Sequence, residues 1–248
     1  MSTIKKIDLA EAHESVSRFK GAEWMVEPLD ILLLGAGGIG SWTGFFLSRI
    51  GHNLSVFDDD TYEVGNMSGQ FVANCGVGVQ KSEALVDLMY GFSGEAQTFN
   101  HSNYGRYEEN SMTSPITIAC FDNMASRRLA FDKWFNYLRE NPDKRKDAIF
   151  IDGRLLAELF QIFTIQGSDI KQIKKYYKYL FSDDVVEPED CSLKQTSHVA
   201  AMIGAEITST FNNWIANKVT GINFRKVPFY QERFTPTIMQ KLKSEKEM

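Results

Sequence analysis

The sequence predicts an α/β fold, a Rossmann-like, mostly parallel sheet with helices on both faces and antiparallel strands toward the C-terminus. Three observations predict it. Short apolar runs alternate with helix-period segments as far as Ile151, the rhythm of a parallel sheet covered on both faces. A glycine cluster, Gly35-Ala-Gly37-Gly38-Ile-Gly40, joins the first run to the first helix. After Gly153 the pattern changes to two-residue alternation, which is how antiparallel strands read. A chain of 248 residues suits one domain with short appendages.

Up to about Pro28 the chain is polar, with Trp24 and Met25 as anchors onto the body. Ile31-Leu-Leu-Leu34 is continuously apolar and ends at glycines, as a strand buried on both faces does. Trp42, Phe45, Phe46 and Ile50 then recur at helical spacing until Gly51 stops the run. Leu54 to Phe57 is the next strand, Gln80 to Tyr90 a helix, and Ile116 to Phe121 a third strand. Met124 to Glu140 is a helix closed by Asn141-Pro142, and Ala148 to Ile151 a strand. Leu159 to Ile165 alternates, Ile170 to Leu180 is a short helix, and Thr196 to Val219 a long one. Phe224 to Phe234 is expected as a closing hairpin, and KLKSEKEM as a frayed tail.

Composition excludes several classes. The net charge of −5 comes without a long basic face, so nucleic acid is not the expected partner. The longest apolar stretch, Ile31 to Gly40, is too short to cross a bilayer, so no membrane is expected. The first residues lack a signal-peptide core, and three scattered cysteines form no disulfide framework. A reduced, cytoplasmic protein is the expectation, with Cys75 and Cys120 as buried small hydrophobes.

The chemistry starts at the glycines. A glycine loop after a strand lets the backbone approach a phosphate, and the free N–H groups of the helix start face the anion. Gly35, Gly37, Gly38 and Gly40 meet that requirement, and Asp58 at the end of the next strand is placed for a ribose hydroxyl. Beyond it lie Asn66 and Gln70 with their amides, Lys81 at a helix start, Asp122 at a strand end and Arg127 one turn into a helix. Such ends meet in the ligand crevice of an open α/β sheet. Backbone amides, a lysine, an arginine and a carboxylate suit a triphosphate with Mg²⁺, and hydride transfer needs no such cluster.

Read together, these motifs resemble the ThiF/MoeB/HesA family of ubiquitin-activating-like adenylyltransferases. Gly35 to Ser41 meets GxGGxGS, Asp58 and Asp60 meet D-x-D, and Asn66 and Gln70 meet N-x-x-R-Q except at its arginine, which is Gly69 here. Lys81 matches the lysine after V-G-x-x, and Cys120, Asp122, Asn123 and Arg127 match C-x-D-N-x-x-x-R. The resemblance runs from about Leu32 to Asn217 and implies a division of the chain. Residues 1–28 are then an N-terminal arm, 29–221 an adenylation domain with a crossover segment at 168–195, and 222–248 a C-terminal hairpin and tail. It implies ATP and Mg²⁺ as cofactors, with Gly38 against the phosphates, Asp58 on the ribose, Asn66 and Lys81 on the phosphates, and Asp122 as the metal ligand. The implied reaction is attack by a C-terminal carboxylate of a small ubiquitin-like protein or peptide on the α-phosphorus of ATP, giving an acyl-adenylate. The implied assembly is a homodimer.

Three departures matter. The resemblance implies that the arginine replaced by Gly69 stabilises the leaving phosphates; Arg127, Arg128, Arg154, or Arg18 from the arm of a second subunit, are the candidates to replace it. Many relatives carry two CxxC pairs for a structural zinc; this chain has none, so no zinc is expected. Cys191, in a polar loop before the long helix, stands near the reactive cysteine of thiol-forming relatives. It is read either as the nucleophile that turns an adenylate into a thioester or as a loop cysteine with no chemistry. Two other functions stay open beside adenylation. Gly69 motivates a catalytically degenerate nucleotide-binding module, and the glycine loop with Asp58 alone would also serve an NAD-dependent oxidoreductase.

Overall fold

The computed structural model describes residues 3–6, 18–93, 101–181, 196–235 and 239–243. In chain order its elements are β1 (Asp30–Leu34), α1 (Gly38–Arg49), β2 (Asn53–Asp58), α2 (Lys81–Ser93), β3 (His101–Tyr104), β4 (Ile116–Ala119) and α3 (Met124–Glu140). Then come β5 (Ile149–Leu156), β6 (Leu159–Gln166), α4 (Ile170–Tyr176), α5 (Ser197–Thr220), β7 (Tyr230–Phe234) and β8 (Met239–Lys243). They build one sheet ordered β3-β2-β1-β4-β5-β6-β7-β8. The first five strands in that order are parallel, and β6, β7 and β8 join antiparallel.

The two-faced burial of β1 explains its unbroken apolar run. Ile31 and Leu33 point into a core shared with Leu47, Leu85, Ile203 and Phe211 of the helices on one face. Leu32 and Leu34 point into the other core, with Phe131, Trp134 and Tyr176. Side chains alternate across a strand, so only a strand covered on both sides keeps every position apolar. Each such burial contributes roughly 1.5–3 kcal/mol. The long helix α5 comes close to α1 because Gly204 has no side chain: a Cβ there would stand 2.8 Å from Trp42 Cβ.

The helices follow their local signals. Asn123 caps α3 by accepting from Ser126 N, and α5 ends at Gly221 with a left-handed φ of 70°. The expected closing hairpin is displaced. Residues 224–229 are not a strand; Asn217 of α5 donates Nδ2 to Arg225 O and accepts from Arg225 N. Those bonds, and Pro228 with no N–H to give a ladder, hold the segment to the helix. The hairpin is instead β7 with β8, and β8 includes Lys241 to Lys243 of the expected tail. The edge strand β3, polar and without alternation, was not expected. Cys120 is buried as expected, and Cys75 is exposed, contrary to expectation, in a short helical turn at Asn74–Gly76. The arm touches the body where it is described: Thr3 N and Oγ1 donate to Asp147 Oδ2 at 2.7 and 2.6 Å, and Met25 and Val26 are buried. Among the described residues no helix is long and apolar enough to cross a membrane.

Candidate active site

Strand order reverses at β1: the chain passes from it to β2 on one side, and β4 lies on the other. The crevice at the carboxyl ends of β1 and β4 is therefore the expected ligand site, and the glycine loop lies there. Gly35 N donates to Phe57 O at 2.8 Å and Cys120 N to Leu34 O at 2.7 Å, so both flanking strands grip the start of the loop. Gly35 has φ +93°, and a Cβ there would stand 2.8 Å from Cys120 O; at Gly40 it would stand 1.7 Å from Gly35 O. Only glycine fits at either place. At Gly37 the nearest atom to a Cβ would be Gln70 Nε2, 3.9 Å away. Gly37 is also the N-cap of α1 and supplies no side-chain cap, so the amides of Gly38, Ile39 and Gly40 are available to an anion.

Two side chains clamp Ala36 inside that loop. Asp58 Oδ2 accepts from Ala36 N at 2.6 Å, and Tyr62 donates its hydroxyl to Ala36 O at 2.7 Å. Asp58 Oδ1 accepts from Asp60 N at 2.9 Å. Burial raises the Asp58 pKa, opposed by the two amides and by Lys81. Burial likewise pushes the Tyr62 phenol up, which keeps it a donor. Sequence reasoning missed Tyr62, since no motif carries it.

Lys81 starts α2 with N donating to Asp60 O and Nζ to Asp60 Oδ2, both at 2.8 Å. The lysine is buried and the aspartate exposed, so a buried cation is paired with a solvated carboxylate. Asn66 and Gln70 lie on the segment between β2 and α2, over the start of α1. Asn66 Oδ1 accepts from Glu63 N at 2.9 Å, closing a helical turn at Val64–Ser68. Trp42 Nε1 donates to Gly69 O at 3.4 Å and Phe71 N to Ser41 Oγ at 2.9 Å, strapping the segment down. Gln70 is buried with Oε1 lacking a partner among the described residues.

Asp122 is exposed just beyond β4, its Oδ1 accepting from Asn123 Nδ2 at 3.2 Å. Arg127 does not extend into solvent. It is buried, with Nε on Asp152 Oδ1 at 2.8 Å, Nη2 on Gly153 O at 3.1 Å and Nη1 on Asn123 O at 3.4 Å. It ties the turn carrying Asp122 to β5. Arg154, Tyr176 and Asp152 join the same cluster; Asp152 was not expected as a site residue, and Tyr176, read as part of an amphipathic helix or substrate-facing flap, is buried here. The signal for Asp152 was a charged residue inside an apolar run, Ile149-Phe-Ile-Asp152. Of the other replacements considered for Gly69, Arg128 donates to Leu180 O and Arg18 is exposed in the arm. Cys191 lies outside the described residues.

The residues present fit ATP and a divalent cation. The loop is unfilled at Gly37, the helix start is uncapped, a buried lysine adjoins, and an exposed carboxylate stands across the crevice. The carboxylates of Asp58, Asp59 and Asp60 also lie within 4.8 Å of one another. Within that cluster Asp58 is engaged by amides, Asp59 by Arg106 and Asp60 by Lys81.

Fold and site thus define an α/β domain with its candidate site at the switch point of the sheet. The chain belongs to the ThiF family, whose model matches residues 25–242. No curated protein matches it in sequence. Among solved structures it is similar to E. coli MccB with AMPCPP and MccA (TM-score 0.64, 13% identity, 96% of this chain and 73% of that one). It is similar to E. coli MccB with ATP (0.59, 14%, 93% and 66%) and to PaaA (0.62, 12%, 93% and 66%). The chain spans about two thirds of the length of these proteins.

Proposed function

We propose that this chain is an ATP-dependent adenylyltransferase that activates the C-terminal carboxylate of a small ubiquitin-like protein or peptide, working as a homodimer. The observation that carries the reading is the contiguous line of contacts from the glycine loop through Asp58 and Asp60 to buried Lys81, with Asp122 across the crevice. Family membership and the likeness to structures holding ATP and MccA support it.

In this reading the amides at the start of α1 and Lys81 bind the phosphates, and Asp58 orients the ribose edge of the loop. A carboxylate oxygen of the substrate attacks the α-phosphorus, the bond to the β-phosphate breaks, and pyrophosphate leaves with that electron pair. No proton moves, because the nucleophile is already ionised. Mg²⁺ held by Asp122 would supply charge neutralisation on the pyrophosphate. If Cys191 acts next, its thiolate attacks the acyl carbon and AMP leaves, giving a thioester.

Calorimetry of ATP and NAD⁺ with Mg²⁺, on wild type and Asp122→Ala, tests the reading. Micromolar ATP binding, no NAD⁺ binding and a loss of the Mg²⁺-dependent part in Asp122→Ala is the expected result. NAD⁺ binding in place of ATP would make it an oxidoreductase. The degenerate-module reading, which Gly69 motivates, predicts ATP binding with no pyrophosphate release on any carboxylate. Sedimentation tests the dimer, metal analysis the expected absence of zinc, and thioester trapping against Cys191→Ser the cysteine.

A further inference from the structure

The cluster around Asp152 carries more positive charge than it uses. Asp152 is 0% exposed. Its Oδ1 accepts from Arg127 Nε, and its Oδ2 accepts from Arg154 Nε at 2.7 Å and from the Tyr176 hydroxyl at 2.8 Å. Two guanidinium groups therefore face one carboxylate. Arg127 spends its remaining groups on the carbonyls of Gly153 and Asn123. Arg154 gives Nη1 to Tyr179 O at 3.1 Å and lies over the Phe163 ring, 4.5 Å from its centroid. Its Nη2 is buried with no hydrogen-bond partner among the described residues, and the side chain is 11% exposed. Glu232, two strands away on the same face, is taken by Gln161 Nε2 at 2.9 Å and by the Tyr230 hydroxyl.

A buried charged donor without an acceptor is costly, and proteins keep one where a ligand completes it. Arg154 stands at the same end of the sheet as Asp122, joined to the Asp122 turn through Asp152 and Arg127. Two residues further along β5, on the same face, Leu156 pairs with Leu159 and Leu159 with Phe234. Leu156 and Phe234 are left 44% and 41% exposed. A rigidly held cation beside apolar ground at the carboxyl end of β5 suits the end of a peptide with a free carboxylate.

We propose that Arg154 receives, through Nη2, the C-terminal carboxylate of the substrate, and so is a substrate-positioning residue and not the replacement for the phosphate-binding arginine lost at Gly69. The proposal rests on the adenylyltransferase reading. It supplies what that reading lacks: a cation that offsets the repulsion between an incoming carboxylate and the triphosphate. Asp152, Tyr176 and Phe163 fix the guanidinium, so its donor is aimed before the substrate arrives.

The test uses the whole chain, immobilised, and two random heptapeptide libraries, one ending in a free carboxylate and one in a carboxamide, with mass-spectrometric enrichment, with and without AMPCPP and Mg²⁺. Wild type is expected to retain acids over amides by at least about tenfold, the scale of one charge-assisted bond. Arg154→Gln is expected to lose that preference while AMPCPP affinity stays within about twofold. Arg154→Lys keeps a positive charge beside Asp152 and guards against a folding failure. Its point charge cannot serve Asp152 and a ligand with separate fork donors, so its preference should fall severalfold. Equal retention of acids and amides by wild type overturns the proposal, as does full preference in either variant. A fall in AMPCPP affinity in Arg154→Gln would make Arg154 a phosphate arginine instead. Failure of AMPCPP to bind wild type sinks the adenylyltransferase reading alone, since the acid preference without nucleotide still tests Arg154.

Discussion

Asp152→Asn removes one charge and keeps the shape. In wild type the carboxylate is fully buried and accepts three hydrogen bonds, from Arg127 Nε, Arg154 Nε and the Tyr176 hydroxyl, at 2.7–2.8 Å. The variant leaves both guanidinium groups facing an amide, whose nitrogen is itself a donor and so repels one of them. Breaking a buried ion pair from one side costs about 3–5 kcal/mol, a large part of the roughly 5–15 kcal/mol that holds a domain folded. At about 2–4 °C per kcal/mol for a domain of this size, the midpoint should fall by roughly 6–20 °C. Urea unfolding followed by fluorescence and circular dichroism reads the loss, and a cycle with Arg127→Met isolates its origin. Removing Arg127 costs wild type a paired charge but relieves Asp152→Asn of an unpaired one. The second Arg127→Met cost should therefore be smaller by at least about 1.5 kcal/mol. An Asp152→Asn loss under about 1 kcal/mol, or equal Arg127→Met costs in both backgrounds, would show that the cluster does not hold the two arginines electrostatically.

Three further outcomes follow from single positions. Gly40→Ala should abolish ATP binding and lower stability, because its Cβ would meet Gly35 O at 1.7 Å; Gly37→Ala, with 3.9 Å of room, should leave the unfolding midpoint nearly unchanged and weaken ATP binding alone, which calorimetry beside thermal melts separates. His52 is buried, and burial lowers its pKa to about 4 from 6.5. The unfolded chain thus takes up a proton between those values that the folded one refuses, and stability should fall as pH drops from 6.5 to 4, by about 3 kcal/mol in all. His52→Gln should remove that part of the slope in unfolding measured across this range. Ala157, in the β5–β6 turn, has φ +47°, a left-handed conformation that Asn adopts more readily. Ala157→Asn should raise stability by up to about 1 kcal/mol in urea unfolding, and a loss of stability would refute the strain.

How far the sequence could be read depended on whether the determinant was local. The strand β1, the glycine turn and α3 follow from short-range rules: two-sided burial, the sterics at Gly35 and Gly40, the Asn123 cap. All three lie where the pattern puts them. The displaced hairpin was not local, because Arg225 is held by Asn217 on α5, a contact that no period reveals. The edge strand β3 takes its place from pairing with β2, while its own residues are polar and carry no strand signal. In the candidate site, the glycines, Lys81 and Asp122 stood out through spacing. Tyr62, Asp152 and Tyr176 act through contacts 24–26 positions away in the chain, and only the fold brings those together.

Arg127 shows what the difference means for mechanism. Its place in a motif with Asp122 suggested an arginine for the phosphates, yet its three bonds all go inward, to Asp152, Gly153 and Asn123. A guanidinium spent in that way cannot also follow a leaving group, and withdrawing it would unpair a buried carboxylate. What it does is hold the Asp122 turn at a set distance from β5, and through Asp152 it holds Arg154. In the proposed reading, the positive charge brought to a reacting anion is then Lys81 on one side and Arg154 on the other. Lys81 is paired with an exposed carboxylate, and Arg154 has one donor without a hydrogen bond among the described residues. In that reading Lys81 serves the phosphates and Arg154 the substrate carboxylate, and Arg154 does not replace the arginine lost at Gly69. Lys81→Met should then abolish ATP binding by calorimetry while leaving the preference for peptide acids intact, and Arg154→Gln should do the reverse. A Lys81→Met variant that loses both, with its unfolding midpoint unchanged, would show a single anion site and break the division argued from the geometry.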